Sequence, residues 1–275
     1  MNKERLIDMH VHSDNSPDGN HSPMFICEQA VDKGLRAVAI TDHCEVDSYY
    51  ERGFNSAIFH SYFETNKART AFEGQLLVLK GIELGQPLYD IAITEKILNT
   101  YSFDAVLGSI HKPAGLGCDI KEIDYTELDV YKFMSDYFNE LTQIAESPYV
   151  DVIAHITCPM RGIIGKYGID FDYSKISDAT DKLLKAIIDN EKALEINTSG
   201  LGTNLNMTMP DERIIKRYKE LGGKYITVGS DSHSAYNVGS YVRDGMKIAK
   251  KCGFDFITFY VERQSFQLEI TGKEF

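Results

Sequence analysis

Short apolar runs alternate with longer helix-like stretches along this whole chain, and that rhythm limits the fold more than any single motif does. The runs fall at 6–11, 35–41, 76–83, 103–110, 150–155, 193–197, 225–230 and 256–261. Helical patterns lie between them near 89–98, 127–146, 177–190, 211–221 and 242–251. A further helix opens at Ser22-Pro23, with Ser as N-cap and Pro in the first turn, and closes at Gly34. A βαβα order implies a parallel sheet. The run Ala37-Val38-Ala39-Ile40 is apolar without alternation, as suits a strand buried on both faces. With 275 residues and no linker, low-complexity tract or charge block, the chain reads as one α/β domain spanning 1–275. Periodicity alone leaves open whether the sheet closes into a barrel or stays an open, doubly wound sheet, and it does not place the last run, 256–261.

The polar residues carry more. His10 and His12 end the first run, Asp42 and His43 the second, and Glu83 the third. His111 ends the fourth and His155 the fifth, while Asp231 and His233 follow the seventh. In a parallel barrel these strand ends converge on one face, where active sites are found. The H-x-H spacing puts both imidazoles on one side of a strand, and Asp231-x-His233 repeats that geometry from a distant strand. A lone His after a strand is ordinary, and His60, within a helix-like stretch, and His21, beside a helix start, are read so. The set as a whole does not arise readily by chance. Such a mixture of imidazole and carboxylate can hold two or three metal ions, and it suits zinc, manganese or iron better than calcium or copper. A purely structural metal site would be closed and rich in thiolate.

A net charge of −12 argues against nucleic acid as a partner but permits a small anionic substrate, because clustered cations invert the local field. The five cysteines are scattered and never spaced C-x-x-C, which fits reduced thiols in a cytoplasm. Met1–Arg5 lead straight into the first run without the apolar stretch of a signal peptide, and no segment approaches a membrane span. Arg161, six residues past His155, is the candidate cation for a bound phosphate, with Lys112 the weaker one. Asp42 could orient the neighbouring ligand shell or relay a proton.

The ordered set His10-x-His12, Thr41-Asp42-His43, Gly81-Ile82-Glu83, Ser109-Ile110-His111, Ala154-His155 and Ser230-Asp231-Ser232-His233 resembles the PHP (polymerase and histidinol phosphatase) superfamily over essentially the whole chain. The segment Glu195-Ile196-Asn197-Thr198-Ser199-Gly200 is similar to the histidinol-phosphatase branch. The resemblance implies a distorted (β/α)7 TIM-like barrel with a trinuclear metal centre. It assigns His10, His12, Glu83 and Asp231 to one metal, and Glu83, His111 and His155 to a second, with Glu83 bridging. His43 and His233 would hold the third. Asp18 stands where the family carries one more ligand, often a His. The implied reaction is hydrolysis of a small phosphate monoester, foremost L-histidinol phosphate in histidine biosynthesis, by attack of a hydroxide bridging two metals. Asp231 or His233 would protonate the leaving alkoxide. One departure concerns the substrate: the branch carries an Arg soon after N-T-S-G-L, and here Gly202-Thr203-Asn204 follow Leu201. The alternatives are a PHP phosphoesterase for a nucleotide or phosphotyrosyl protein, and a non-catalytic PHP module. A capping insertion is not evident and the ligand set is complete, which argues against both. A metal-dependent amidohydrolase would use a carboxylated Lys on a middle strand, where this chain has Glu83 or His111.

Overall fold

Seven parallel strands close on themselves around a core that is apolar at one end and polar at the other. A computed structural model describes residues 6–272, so Met1–Arg5, read above for a leader segment, lie outside the described residues. The strands are β1 (Ile7–Val11), β2 (Ala37–Ile40), β3 (His43–Glu45), β4 (Leu77–Gly85), β5 (Ala105–Ser109), β6 (Val152–Ile153), β7 (Ala193–Asn197), β8 (Ile226–Gly229), β9 (Phe256–Val261) and β10 (Gln264–Glu269). The helices are α1 (Pro23–Asp32), α2 (Phe54–Ala71), α3 (Ile91–Thr100), α4 (Val130–Glu146), α5 (Ser177–Asp189), α6 (Glu212–Glu220) and α7 (Val242–Lys251). The sheet order is β1-β2-β4-β5-β6-β7-β8, every pairing parallel. β3 continues the line of β2 along β4 after a break at Thr41-Asp42, which distorts the barrel there.

The last gap is closed beyond the end of β8. Asp231 N donates to His10 O at 2.8 Å and His12 N to Ser232 O at 2.8 Å. Below them the buried Asp8 carboxylate accepts from Ser230 N at 2.8 Å, Ser230 Oγ at 2.5 Å and Gly239 N at 2.7 Å. The barrel left open by periodicity is therefore closed, and Asp8 ties its two edges together.

The inside of the barrel has two tiers. Ile7, Met9, Ala37, Ala39, Leu79, Ala105, Leu107, Val152, Ala154 and Ala193 fill the lower one. A second, larger apolar cluster packs the outer faces of the strands against the helices. The pairing register of β1 slips between Asp8 and Val11. Past that slip Val11 belongs to the outer cluster, and His10 and His12 turn inward above Met9.

The unplaced run 256–261 is β9, which forms a hairpin with β10 under the barrel rather than an eighth barrel strand. Tyr260 joins the lower apolar tier. Arg263 clamps Asp151 with Nε and Nη2 at 2.9–3.1 Å, just before β6. The hairpin turn, Glu262-Arg263, has φ of 50° and 62°, the left-handed pair that such turns need, yet without the Gly or Asn that announces it. That explains why β10 is not evident in the sequence. The helix around His60 is α2, whose N-cap is Gly53, a residue with no side chain to cap it.

Asp8→Ala should destabilise the fold by about 3 kcal/mol, because buried donors lose an ionised acceptor. Urea unfolding checks this, and an unchanged midpoint would show that barrel closure rests elsewhere.

Candidate metal centre

Glu83, near the end of β4, has no exposed surface and stands among five imidazoles. Its Oε2 lies 2.8 Å from His43 Nδ1, 3.4 Å from His10 Nε2 and 3.6 Å from His12 Nε2. Its Oε1 lies 2.7 Å from His155 Nε2 and 3.3 Å from His111 Nε2. Each carboxylate oxygen thus faces its own set of ring nitrogens. Asp231 Oδ1 joins the first set, 3.3 Å from His12 Nε2 and 3.8 Å from His10 Nε2. A third set forms at the mouth, where Asp18 Oδ1 is 3.2 Å from His233 Nε2 and 3.6 Å from His43 Nε2. The nine candidate ligand residues of the sequence analysis therefore meet at one end of the barrel.

Two of them hold unusual backbone. His155 has φ 26° and Asp231 φ 52°. Non-glycine residues enter the left-handed region at a cost, and such positions cluster at functional sites. For His155 the twist has a visible result: the residue after Ala154 of the lower tier also reaches the interior.

The hydrogen bonds on the far side of the rings test whether metal fits here. His10 Nδ1 donates to Glu195 Oε1 at 2.7 Å, His111 Nδ1 to Glu45 Oε1 at 2.8 Å, and His233 Nδ1 to the carbonyl of Asp231 at 2.9 Å. Ser16 Oγ spends its proton on Asp42 at 2.7 Å, so it accepts from His12 Nδ1 at 3.1 Å. In each neutral ring the Nε2 lone pair is then left pointing inward. His10 Nε2 and His12 Nε2 face each other at 3.0 Å, and His43 and His233 Nε2 at 3.4 Å. Lone pairs opposed to lone pairs and carboxylates repel unless a cation lies between them. Glu83 Oε2 and His43 Nδ1 are, moreover, buried without a hydrogen-bond partner. The donor set fits a borderline transition metal, with outer carboxylates fixing the rings.

The electrostatics carry the same strain. Burial pulls His10 down, yet Glu195, Glu83 and Asp231 outweigh it and hold its pKa well above the usual range. Burial raises Glu83, but His111, His43 and His10 overcome that and keep it well below. Burial together with the neighbouring His43 drives His12 well below the ordinary imidazole value. Glu45 falls to about 2, against its burial, through His111 and His43.

The proposed helpers are placed unequally. Arg161 opens a short π-helical segment, Arg161–Lys166, and its Nη2 reaches Asp231 Oδ2 at 3.0 Å. Gly162 lets it sit there, since a Cβ would lie 2.2 Å from the Tyr125 ring. Lys112 is not brought to the cluster; its Nζ lies 3.4 Å from Asp47 Oδ2. The Asp42 carboxylate is turned into hydroxyls, accepting from Ser13 Oγ at 2.6 Å, Ser16 Oγ at 2.7 Å and Ser61 Oγ at 2.5 Å, so it reaches His12 only through Ser16. His60 and His21 stand outside the cluster, His21 accepting from Ala235 N at 3.3 Å. The sequence reading missed Glu45 as the partner of His111 and Glu195 as the partner of His10. Ser199 and Asn197 were also missed; both contact Asp231 Oδ2 at 3.3 Å, and Ser199 accepts from Arg161. A cleft of about 170 Å³ opens beside His43 and His111, lined also by Asp18, Glu45, Arg52, Asp119 and Lys121.

Comparison with known proteins agrees with this geometry. Residues 8–199 match the PHP domain. The chain is 33% identical to the "Probable histidinol-phosphatase" of Clostridium acetobutylicum, over 92% of this chain and 96% of that protein. It is 27% identical to the histidinol-phosphatase of Lactococcus lactis, over 91% and 92%. The crystal structure of histidinol phosphate phosphatase from Lactococcus lactis, complexed with zinc, L-histidinol and phosphate, superposes with a TM-score of 0.75 at 21% identity, covering 95% of this chain and 99% of that one. The fold is therefore the distorted TIM-like barrel, and the chain belongs to the PHP domain family.

Proposed function

We propose that this chain is a metal-dependent phosphomonoesterase that hydrolyses L-histidinol phosphate to L-histidinol and phosphate in histidine biosynthesis. The observation that carries the reading is the convergence of inward lone pairs on the buried Glu83, beside an open cleft and a guanidinium. Relatives named histidinol-phosphatase match over more than nine-tenths of this chain, which supports the substrate.

His10, His12, Glu83 and Asp231 would hold one ion, Glu83, His111 and His155 a second, and Asp18, His43 and His233 a third, each zinc, manganese or iron. When bound, two or three such ions supply positive charge for a phosphate dianion and lower the pKa of water. Arg161 grips phosphate oxygens: its Nε is buried without a partner, and Asp231 and Ser199 fix the rest of the guanidinium. Asp231 is a poor proton donor, because Arg161, Asn197 and Ser199 cover its Oδ2. His233 is about a quarter exposed at the mouth, with Nε2 3.2 Å from Asp18 Oδ1, so in a chain that holds ions only at Glu83 we assign it the proton for the leaving oxygen. The cleft beside His43 takes the alcohol half, whose ammonium suits Asp119. A reducing cytoplasm is the proposed setting: all five cysteines are free, four of them buried, and among the described residues no helix is long and apolar enough to cross a membrane.

One observation favours a second reading, a phosphatase of another small monoester. Gly202, near which the branch carries Arg, lies under the Tyr241 ring, where a Cβ would sit 3.2 Å from Tyr241 Cε2. The phosphate therefore has one guanidinium fewer.

Values of kcat/KM for histidinol phosphate, a nucleoside monophosphate, a phosphotyrosyl peptide and an aryl phosphate separate the two. Histidinol phosphate should be clearly preferred; parity with the aryl phosphate leaves only the general phosphatase. Glu83→Gln should lose more than one bound ion in metal analysis of purified protein, and full occupancy with unchanged activity would refute the bridge. Arg161→Ala should keep its metals and lose roughly ten- to a hundredfold in kcat/KM, chiefly through KM, because one charge-assisted contact is worth about 1.5–3 kcal/mol. Wild-type kinetics in that variant would remove Arg161 from the phosphate.

A further inference from the structure

Gln86 is fully buried, follows β4 with φ 49°, and has no part in the chemistry above. A non-glycine residue in that region needs surroundings that fix it. They are present. Its backbone N–H donates to Ser109 O at 2.9 Å. Its side-chain Nε2 donates to Glu45 Oε2 at 2.8 Å and to Asp47 Oδ1 at 3.1 Å. Its Oε1 accepts from His111 N at 2.7 Å and from Lys112 N at 3.3 Å. Both amide protons and both oxygen lone pairs are thus in use.

The partners have one thing in common. Glu45, held by Gln86 through Oε2, accepts from His111 Nδ1 through Oε1 at 2.8 Å. Gln86 therefore grips His111 twice, at its backbone N–H and, through Glu45, at its ring. The preceding Gly85 leaves room for that link, since a Cβ there would lie 1.9 Å from Glu45 Oε2. Glutamate could not replace the amide, because a carboxylate would face both Glu45 and Asp47. Gln86 does not touch the outer partners of His10 and His12, which are Glu195, held by His155 N and Asn197, and Ser16, held by Asp42.

We propose that Gln86 is a positioning residue for His111. It sets the affinity of the ion held by Glu83 Oε1, His111 and His155 independently of the other ions. The inference rests on reading His111 and Glu83 as metal ligands.

The test is a chelator competition on the full-length protein loaded with Co2+, followed by absorption and by metal analysis. In Gln86→Glu one ion should bind roughly ten- to a hundredfold more weakly, the range for loss of an outer partner of a ligand, while the others keep wild-type affinity. Glu45→Gln should weaken the same ion, and it decides the matter if Gln86→Glu does not fold. Uniform weakening of all ions, or none, overturns the proposal. A wild-type chain that binds no Co2+ overturns the metal reading itself, and so the two failures are told apart.

Discussion

A carboxylate withdrawn from water is the costliest group in this barrel, and most of the upper tier is arranged around it. Glu83 has no exposed surface and, among the described residues, no lysine or arginine salt bridge. An isolated buried carboxylate would take up a proton rather than stay ionised. Here five imidazoles crowd it, and against its burial His111, His43 and His10 hold its pKa well below the usual carboxylate range. Imidazoles whose outer nitrogens are already donating can satisfy it fully only with cations between. The same crowding suits the centre to cations, with two carboxylate oxygens directed at two separate sets of nitrogen.

That constraint spreads outward in layers. Four of the rings have an outer acceptor that keeps the inner nitrogen free: Glu195 for His10, Glu45 for His111, Ser16 for His12 and the Asp231 carbonyl for His233. Those acceptors need support in turn. Glu195 is held by His155 N at 2.7 Å, Ser16 by Asp42, and Glu45 by Gln86. Asp8 then locks β1 to the segment carrying Asp231, so that ligands more than 200 residues apart share one set. The apolar lower tier and the β9–β10 hairpin under it leave polar residues only one end to occupy.

The convergence of the inner candidate ligands was legible in the sequence because each is a polar residue ending an apolar run, a conflict with local pattern of the kind expected at functional sites. The barrel itself was legible as alternation, but its closure was not. Closure depends on Asp8 and Ser230, two residues that look unremarkable until they meet. Glu45 and Glu195 escaped for a related reason. A partner to a ring nitrogen is defined by a contact across strands, and no spacing in the chain records it. Lys112 shows the converse: it adjoins His111 in the bend after β5, yet its side chain turns away to Asp47. Asp42 likewise precedes a candidate ligand, yet the break between β2 and β3 turns it into the serines.

Around Arg161 the structure meets opposing demands. A guanidinium meant for phosphate must not be neutralised by its own surroundings, yet Asp231 lies 3.0 Å away. The geometry divides the roles. Asp231 gives Oδ2 to Arg161, Asn197 and Ser199, and Oδ1 to His12, so its charge is shared between the cation and the metal side. Arg161 commits only Nη2 to this network. Its Nε remains buried and unpaired, which is costly unless a ligand completes it. With Tyr241 seated over Gly202 in place of a second anchor nearby, that single guanidinium and the ions would, on the proposed function, provide the phosphate affinity together. On the same proposal, specificity for the alcohol half would fall to the cleft beside His43, where Asp119 and Lys121 set opposite charges within one small space.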